Sequence, residues 1–456
     1  MASPILNRRR LLKRLWSLLA GVAATLFLTY FYLWYTESKT LPVKWRRLPP
    51  NYYSWFRKEL ALPQNNPDLP PPQGRHGKYV LYDQHVQLLG WGNAMQDMIM
   101  NAHLSYMAER TFVMYNYTWD VGVGDYSKWG DSIIPAQIPI SVYAKGPIAG
   151  GPYPADKYRP PAVSVPFFRS ICPHPVMLNV DDIKHEIGEP SALTIMTHFA
   201  NRLKSIDDGC VEFQYNTGQV LDFYIMGDGK RMADLWPPLL ESPILTEWQW
   251  SDTITSALET NYRIVHPGAG IRDSQRAELP GLLALHVRRG DFEGHCTHLA
   301  KWKSAYNAFN TREGFPDQFT PPQNGEWGEA SPEGLAFYGK HCFPSIQDIV
   351  EKARQVRSDA QRQGRNLDRI YVLTNGKSDW FAELKAALNE LGGWKSIHSS
   401  RELKLTREQK YIAQAIDMLI ATRADTFVGN AWSSLTSNVN MLRVVQHHHP
   451  QTSRFW

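Results

Sequence analysis

The chain has 456 residues, 43% of them apolar, 12% aromatic and 20% charged. That suffices for two domains with hydrophobic cores and is too apolar for a disordered protein. Its 49 Lys and Arg against 44 Asp and Glu give a formal charge of +5, but residues 1–47 alone hold nine basic residues and one acid. The remainder carries −3, which argues against nucleic acid as a partner.

Leu15 to Tyr35 run for 21 positions without a charged residue. As a helix this is roughly 31 Å, about one bilayer core. Arg8, Arg9, Arg10, Lys13 and Arg14 precede it, and Tyr30, Tyr32, Trp34 and Tyr35 crowd its far end. The pattern predicts a cytosolic tail at 1–14 and a membrane anchor at 15–35, with the body across the membrane. A cleaved signal peptide competes with this reading, but bulky aromatics stand where small residues would precede cleavage. Pro42, Pro49, Pro50, Pro63, Pro67, Pro70, Pro71 and Pro72 predict an extended stem over 36–75. Anchor, stem and body are the layout of a single-pass type II enzyme of the Golgi (or ER) membrane with its body in the lumen, and equally of a cell-surface protein. No retrieval signal is visible, which favours the Golgi.

Cys172, Cys210, Cys296 and Cys342 fall in the body, where disulfides are permitted. Three pairings are possible, and short loops favour Cys172–Cys210 with Cys296–Cys342. Asn116-Tyr117-Thr118 is an N-glycosylation sequon.

Residues 78–82 read as a strand, 93–109 as a helix and 111–115 as a strand; 116–265, rich in Pro, Gly and Trp, carry little periodic signal. The second half is clearer. Strands are predicted at 282–287, 369–373 and 426–428, and helices at 345–363, 379–391, 407–421 and 433–445. Apolar strands alternating with helices imply an α/β body with parallel sheets covered on both faces. Ligands of such sheets bind outside the carboxyl ends of strands.

Three turns at strand ends carry polar groups. His286-Val287-Arg288-Arg289-Gly290-Asp291 leaves the strand at 282–287, and strand alternation puts His286 and Arg288 on one face. An arginine there suits a phosphate, because its planar fork donates paired hydrogen bonds and keeps its charge. A solvated charged turn is the plainer reading. Gly429-Asn430-Ala431-Trp432-Ser433-Ser434-Leu435-Thr436 follows a strand and opens a helix. Hydroxyls and free N–H groups at a helix N-terminus make an anion seat, and an ordinary Ser cap explains one hydroxyl but not three. Asp417, one helix earlier, is either a surface residue or an acceptor for the N–H edge of a guanine. Gly90-Trp91-Gly92-Asn93 opens the first helix; its glycines permit close backbone approach, and Asn93 reads first as a cap. No Asp-x-Asp occurs in the chain, so a diphosphate here needs neutralising by Arg, helix ends and hydroxyls rather than metal. His295, Cys296, His298, His341 and Cys342 match no trusted zinc spacing.

These turns resemble a known family. His286-Val-Arg288-Arg289-Gly-Asp291 is similar to the His-x-Arg signature of the GDP-fucose-dependent protein O-fucosyltransferases and the related α-1,6-fucosyltransferases. Residues 424–436 resemble the O-fucosyltransferase C-terminal motif, including its Ser-Ser-x-Thr run, and Asp417 falls at the family's spacing before it. Gly90-Trp-Gly92-Asn93 resembles the family's Gly-x-Gly-Asn loop. The resemblance covers about 80–110 and 281–445.

It implies a GT-B-like fold, with an N-terminal Rossmann-like domain at 76–270 on the acceptor side and a C-terminal one at 271–456 binding GDP-fucose across a cleft. The implied reaction is inverting transfer of fucose from GDP-fucose to a protein or glycan hydroxyl, without metal or cofactor. By carry-over, Arg288 holds the β-phosphate and acts in catalysis, with Arg289 beside it. His286 and Asp417 meet the guanosine, and Ser433, Ser434, Leu435 and Thr436 line the diphosphate. Gly92 and Asn93 face the donor from the other domain.

The sequence also departs from the family. Trp91 stands where some relatives place a glutamate base, and the acid that the α-1,6 enzymes carry after the Arg pair would fall near Cys296. No base is assigned; Asp291, Glu293 and Asp83 are candidates, and substrate-assisted or base-free transfer stays open. A non-catalytic descendant that binds glycan or protein, or a transferase using another nucleotide sugar, are the alternatives.

Overall fold

The computed structural model describes residues 21, 24–30, 48–120, 124–268, 278–290, 292–318, 320–322 and 326–456. Most of the anchor expected at 15–35 lies outside them. Residues 24–30 are helical and exposed, and no helix among the described residues is long and apolar enough to cross a membrane.

The chain builds two parallel five-stranded sheets. After a short helix α1 (Tyr53–Leu60) come β1 (Tyr79–Tyr82), α2 (Trp91–Met107), β2 (Thr111–Met114), β3 (Val163–Ser164), β4 (Val176–Leu178), α3 (Ala192–Lys204), β5 (Cys210–Phe213) and α4 (Asp252–Val265). The second half holds β6 (Leu279–Val287), α5 (Phe292–Lys301), α6 (Pro332–Cys342), α7 (Ile346–Arg362), β7 (Arg369–Thr374), α8 (Ser378–Glu390), β8 (Ser396–Ser399), α9 (Ala413–Arg423), β9 (Ala424–Gly429), α10 (Ser434–Val445) and β10 (Ser453–Phe455). The first sheet runs β3-β2-β1-β5-β4 and the second β8-β7-β6-β9-β10, every neighbouring pair parallel.

The second sheet reads well from sequence because Leu282 to Val287 are all buried, as a central parallel strand requires. Ala284 is opposite Tyr371 on β7 and Phe427 on β9. The strand order reverses direction between β6 and β9, so their carboxyl ends open the crevice where ligands of such sheets bind. Those ends are the His286–Arg289 and Gly429–Thr436 turns. The domain boundary expected at 270 falls in 269–277, outside the described residues.

Two expectations change. The stretch from residue 48 is no extended stem: α1 forms there, Tyr52 is buried with its hydroxyl donating to Glu408 O at 2.7 Å, and Gln64 Nε2 donates to Gly150 O and Ala162 O, both at 2.9 Å. Pro63, Pro67, Pro71 and Pro72 sit in turns around these anchor points rather than in a free linker. Residues 116–265 also supply three strands of the first sheet, β3 to β5.

The disulfides are Cys172–Cys210 and Cys296–Cys342, closing separations of 38 and 46 residues. Loop closure at these lengths is worth about 4 kcal/mol each in the chain-entropy model. Cys342→Ser is expected to lower the midpoint of thermal unfolding by several degrees, about 2–4 °C for each kcal/mol lost in a domain of this size; an unchanged midpoint would refute this contribution.

The halves share one core. α2 packs on α10, α4 on α9, and Trp236 meets Phe309 edge-on at 4.6 Å.

Candidate active site

Side chains alternate at the end of β6, and their fates differ. His286 is buried; its Nδ1 lies 2.8 Å from Thr436 Oγ1, and its carbonyl accepts from Trp456 Nε1 at 2.8 Å. Burial first, and the nearby Arg288 charge second, push its pKa down to about 3, so the ring is neutral at physiological pH. Arg288 is half-buried, and its guanidinium stacks 4.4 Å from the Phe292 ring centre. Asp291 lies outside the described residues.

Arg289 departs from the expected shared anion seat. Its guanidinium sits 4.4 Å from the ring centres of both Phe343 and Trp380, and Nη2 donates to Pro344 O at 2.5 Å. Its backbone N–H donates to Asn375 Oδ1 at 2.7 Å, and Asn375 Nδ2 returns a bond to its carbonyl at 2.8 Å. Burial pushes its pKa down to about 10, against the pull of Glu293, and it stays charged. One residue along a strand reverses the face, so Arg289 clamps the strand end into the protein.

The β9–α10 turn is fixed by the Asn430 side chain and by bonds to neighbouring segments. Asn430 Oδ1 accepts from Trp432 N at 3.1 Å, and Asn430 Nδ2 donates to Cys342 O at 2.6 Å. Ala431 O accepts from Asn307 N at 2.9 Å and from Asn310 Nδ2 at 2.8 Å. Ser433 occupies the cap position without a side-chain capping bond, and the helix starts at Ser434. The ordinary capping role therefore fails for Ser433, and the first-turn N–H groups keep their anion-seat character. Gly429 makes room for Thr436: a Cβ there would lie 2.8 Å from its Oγ1.

The glycine turn of the first half meets this helix end. A Cβ on Gly92 would stand 2.6 Å from Ser434 Oγ and 2.7 Å from Leu435 N, and Asn438 Nδ2 donates to Gly92 O at 2.9 Å. Trp91 is buried with Nε1 3.4 Å from Met418 Sδ. Asn93 does not cap, contrary to the first reading: α2 begins at Trp91, Gly90 is the cap, and Asn93 is exposed. The preceding loop is tied down by buried Asp97, which accepts from Val86 N and Tyr115 OH, both at 3.1 Å.

Asp417 is half-buried on α9, and its Oδ1 accepts from Tyr371 OH at 2.7 Å. Burial raises its pKa to about 7, opposed by that bond and by Arg401. His286, Arg288, Gly92, Ser433, Ser434, Leu435 and Thr436 thus belong to one corner of the crevice, with Asp417 on the helix leading into β9. Sequence reasoning missed Tyr371, Asn438 and Trp456. Tyr371 reads as strand core and Trp456 lies far along the chain; Asn438 was legible as the residue one turn beyond Ser434. Of the base candidates, Glu293 is exposed on α5, and Asp83 lines a 310 Å³ cavity with Glu59 and His85 at the carboxyl end of the first sheet. Among the described residues no three His, Cys, Asp or Glu side chains are grouped to hold a metal ion.

The sequence profile of the GDP-fucose protein O-fucosyltransferases matches residues 177–446. The chain belongs to this family. It is a fucosyltransferase that takes GDP-fucose as donor. The O-fucosyltransferase match spans the crevice end of the second sheet and part of the first half. Crystal structures of POFUT1 with GDP-fucose and with GDP are 16% and 17% identical to the chain, cover 83% of it and 97% and 98% of POFUT1, and have TM-scores of 0.46 and 0.44. A mutant Arabidopsis thaliana FUT1 in complex with GDP is 10% identical, covering 86% of this chain and 73% of that one, with a TM-score of 0.36. No curated protein matches the chain in sequence.

Burial has a measurable consequence for this fucosyltransferase. His286 and His448 are pushed down to about 3, His85 and His103 to about 4, each mainly by desolvation. Unfolding frees each to take a proton below about pH 6.5, so their contribution to stability falls as pH drops through that window. Asp97, raised to about 6, Asp417, raised to about 7, and Glu59, raised by burial, act with the opposite sign. The histidines outweigh them at pH 5. The midpoint of thermal unfolding is expected to fall between pH 7 and pH 5; a midpoint that holds or rises would contradict it.

Proposed function

We propose that the chain is an inverting, metal-independent fucosyltransferase of GT-B-like architecture, anchored through residues 15–35 with its body in the Golgi (or ER) lumen. The observation that carries the donor site is the seating of the Gly92 backbone against Ser434 and Leu435, beside the His286–Thr436 pair. Two parallel α/β halves meet there over the N-terminus of a helix at the strand reversal. A diphosphate fits this corner, because the helix dipole and its first-turn N–H groups favour negative charge.

Each residue then has a part. Ser433, Ser434, Leu435 and Thr436 surround the diphosphate, and Gly92 and Asn93 close on the donor from the other half. Arg288 takes the β-phosphate. Its stack on Phe292 holds the guanidinium plane, and a planar fork suits a phosphate. Thr436 orients His286 toward the guanosine, and Tyr371 fixes one oxygen of Asp417 so that the other meets the guanine edge. The acceptor hydroxyl forms its bond to the fucosyl anomeric carbon as the bond to the β-phosphate oxygen breaks, and the hydroxyl proton passes to the departing GDP or to solvent. Charge grows on the leaving GDP during that step, so a fixed cation stabilises the transition state more than the ground state. The absence of Asp-x-Asp supports the metal-free reading, and the two disulfides support a lumenal body.

A nucleotide-sugar panel in EDTA tests this. GDP-fucose is expected to be consumed, with GDP-mannose and UDP-sugars inert; activity that disappears in EDTA and returns with a divalent cation would overturn the metal-free mechanism.

A further inference from the structure

The aromatic contacts at Arg288 continue away from the donor corner. Phe292, under the guanidinium, has its ring centre 5.0 Å from that of His295. His295 meets Trp302 edge-on at 6.3 Å, Trp302 meets Phe223 at 6.2 Å, and Phe223 meets Tyr224 at 5.9 Å. This run begins in the second half and ends in the first. Its far end is open: Phe223 is 57% and Tyr224 77% exposed.

These two rings are held outward by a defined cap. Asp222 Oδ1 accepts from Tyr224 N at 2.9 Å and Ile225 N at 3.1 Å, and Asp222 is itself paired with Lys184 at 2.5 Å. Adjacent large rings kept in water forgo the gain of burial, and such patches mark binding surfaces. The chemistry of the run indicates the occupant. Its members are aromatic rings in contact with one another, and Trp302 adds an indole N–H to a flat apolar face. A pyranose has the matching form, with an apolar C–H face that stacks on an aromatic ring and an edge of hydroxyls that seeks donors and acceptors.

We propose that this run is the acceptor subsite and that the acceptor is a saccharide. It stacks on Trp302, Phe223 and Tyr224 and presents its hydroxyl to the donor beside Arg288. The assignment rests on the donor reading above, since continuity with Arg288 is what makes the run an acceptor path.

The test uses the full-length chain in detergent and the Phe223→Ala/Tyr224→Ala double variant. Chitotetraose, mannotetraose, cellotetraose and a Ser/Thr-containing peptide are titrated against tryptophan fluorescence, and GDP is titrated by calorimetry. At least one oligosaccharide is expected to bind the parent protein, and the double variant to bind it roughly tenfold more weakly through the loss of two ring contacts. GDP affinity is expected to be the same in both proteins. The proposal is overturned if no oligosaccharide binds, if the double variant binds as the parent does, or if only the peptide binds through these rings. Failure of GDP to bind the parent protein, with ring-dependent oligosaccharide binding intact, would overturn the donor site and leave the saccharide site standing.

Discussion

Arg288→Ala is expected to lower kcat/KM for fucose transfer by about 10²–10³-fold, with little change in thermal stability. The size is that of removing one fixed donor from a developing anion, about 3–4 kcal/mol. Arg288 is half-buried at a strand end and its guanidinium stacks on Phe292, a position from which truncation is expected to leave the fold in place. Lysine is expected to rescue poorly, because a point charge does not reproduce the guanidinium fork or its stack. Arg289→Ala supplies the contrast. Its guanidinium is clamped between Phe343 and Trp380 and bonded to Pro344 O. Its loss is expected to appear first as a lower unfolding midpoint, by the route usual for a broken buried network. Full activity in Arg288→Ala would show that the diphosphate is neutralised elsewhere.

Gly92→Ala is the second large effect. The added methyl would press on Ser434 Oγ and on the backbone nitrogen of Leu435, and the backbone atom has nowhere to go without moving the helix end. Overpacking of this kind costs about 1–3 kcal/mol. Here it separates the two surfaces that close on the diphosphate, so GDP affinity is expected to fall at least about tenfold. Gly90→Ala is the control. Its φ is −60° and a Cβ there meets nothing within 4 Å, so its affinity is expected to stay within about twofold of the parent. Equal losses in the two variants, read by calorimetry, would mean that the turn matters for flexibility and not for close approach.

The legible and illegible parts of the chain divide on physical grounds. β6 and β9 are readable because their cores, Leu282 to Leu285 and Phe427 to Val428, are apolar and buried as central parallel strands require, and α10 because a serine-rich helix-opening turn precedes it. The polar residues that break these patterns at the ends are the site. The first sheet is harder: β3 has two residues and β4 three, too short for any period to register. Proline count misleads over residues 48–75, because it reports local backbone restriction and not the long-range contacts of Tyr52 and Gln64. Strand alternation separates Arg288 from Arg289 in principle, yet which face meets protein depends on Phe343 at the end of α6 and Trp380 on α8, both distant in sequence. Asn93 illustrates the usual boundary shift, since a cap three residues earlier, at Gly90, turns a capping side chain into an exposed one. Tyr371 was hidden because a tyrosine in an apolar strand gives no sign that its hydroxyl reaches Asp417.

Amide hydrogen exchange with and without GDP, in EDTA, tests the central claim most directly. New protection is expected at the amides of Ser434 to Ser437 and across Gly90 to Asn93, on both sides of the same corner. GDP binding that leaves these two segments unprotected, or protects only the carboxyl end of the first sheet around Asp83 and His85, would contradict it.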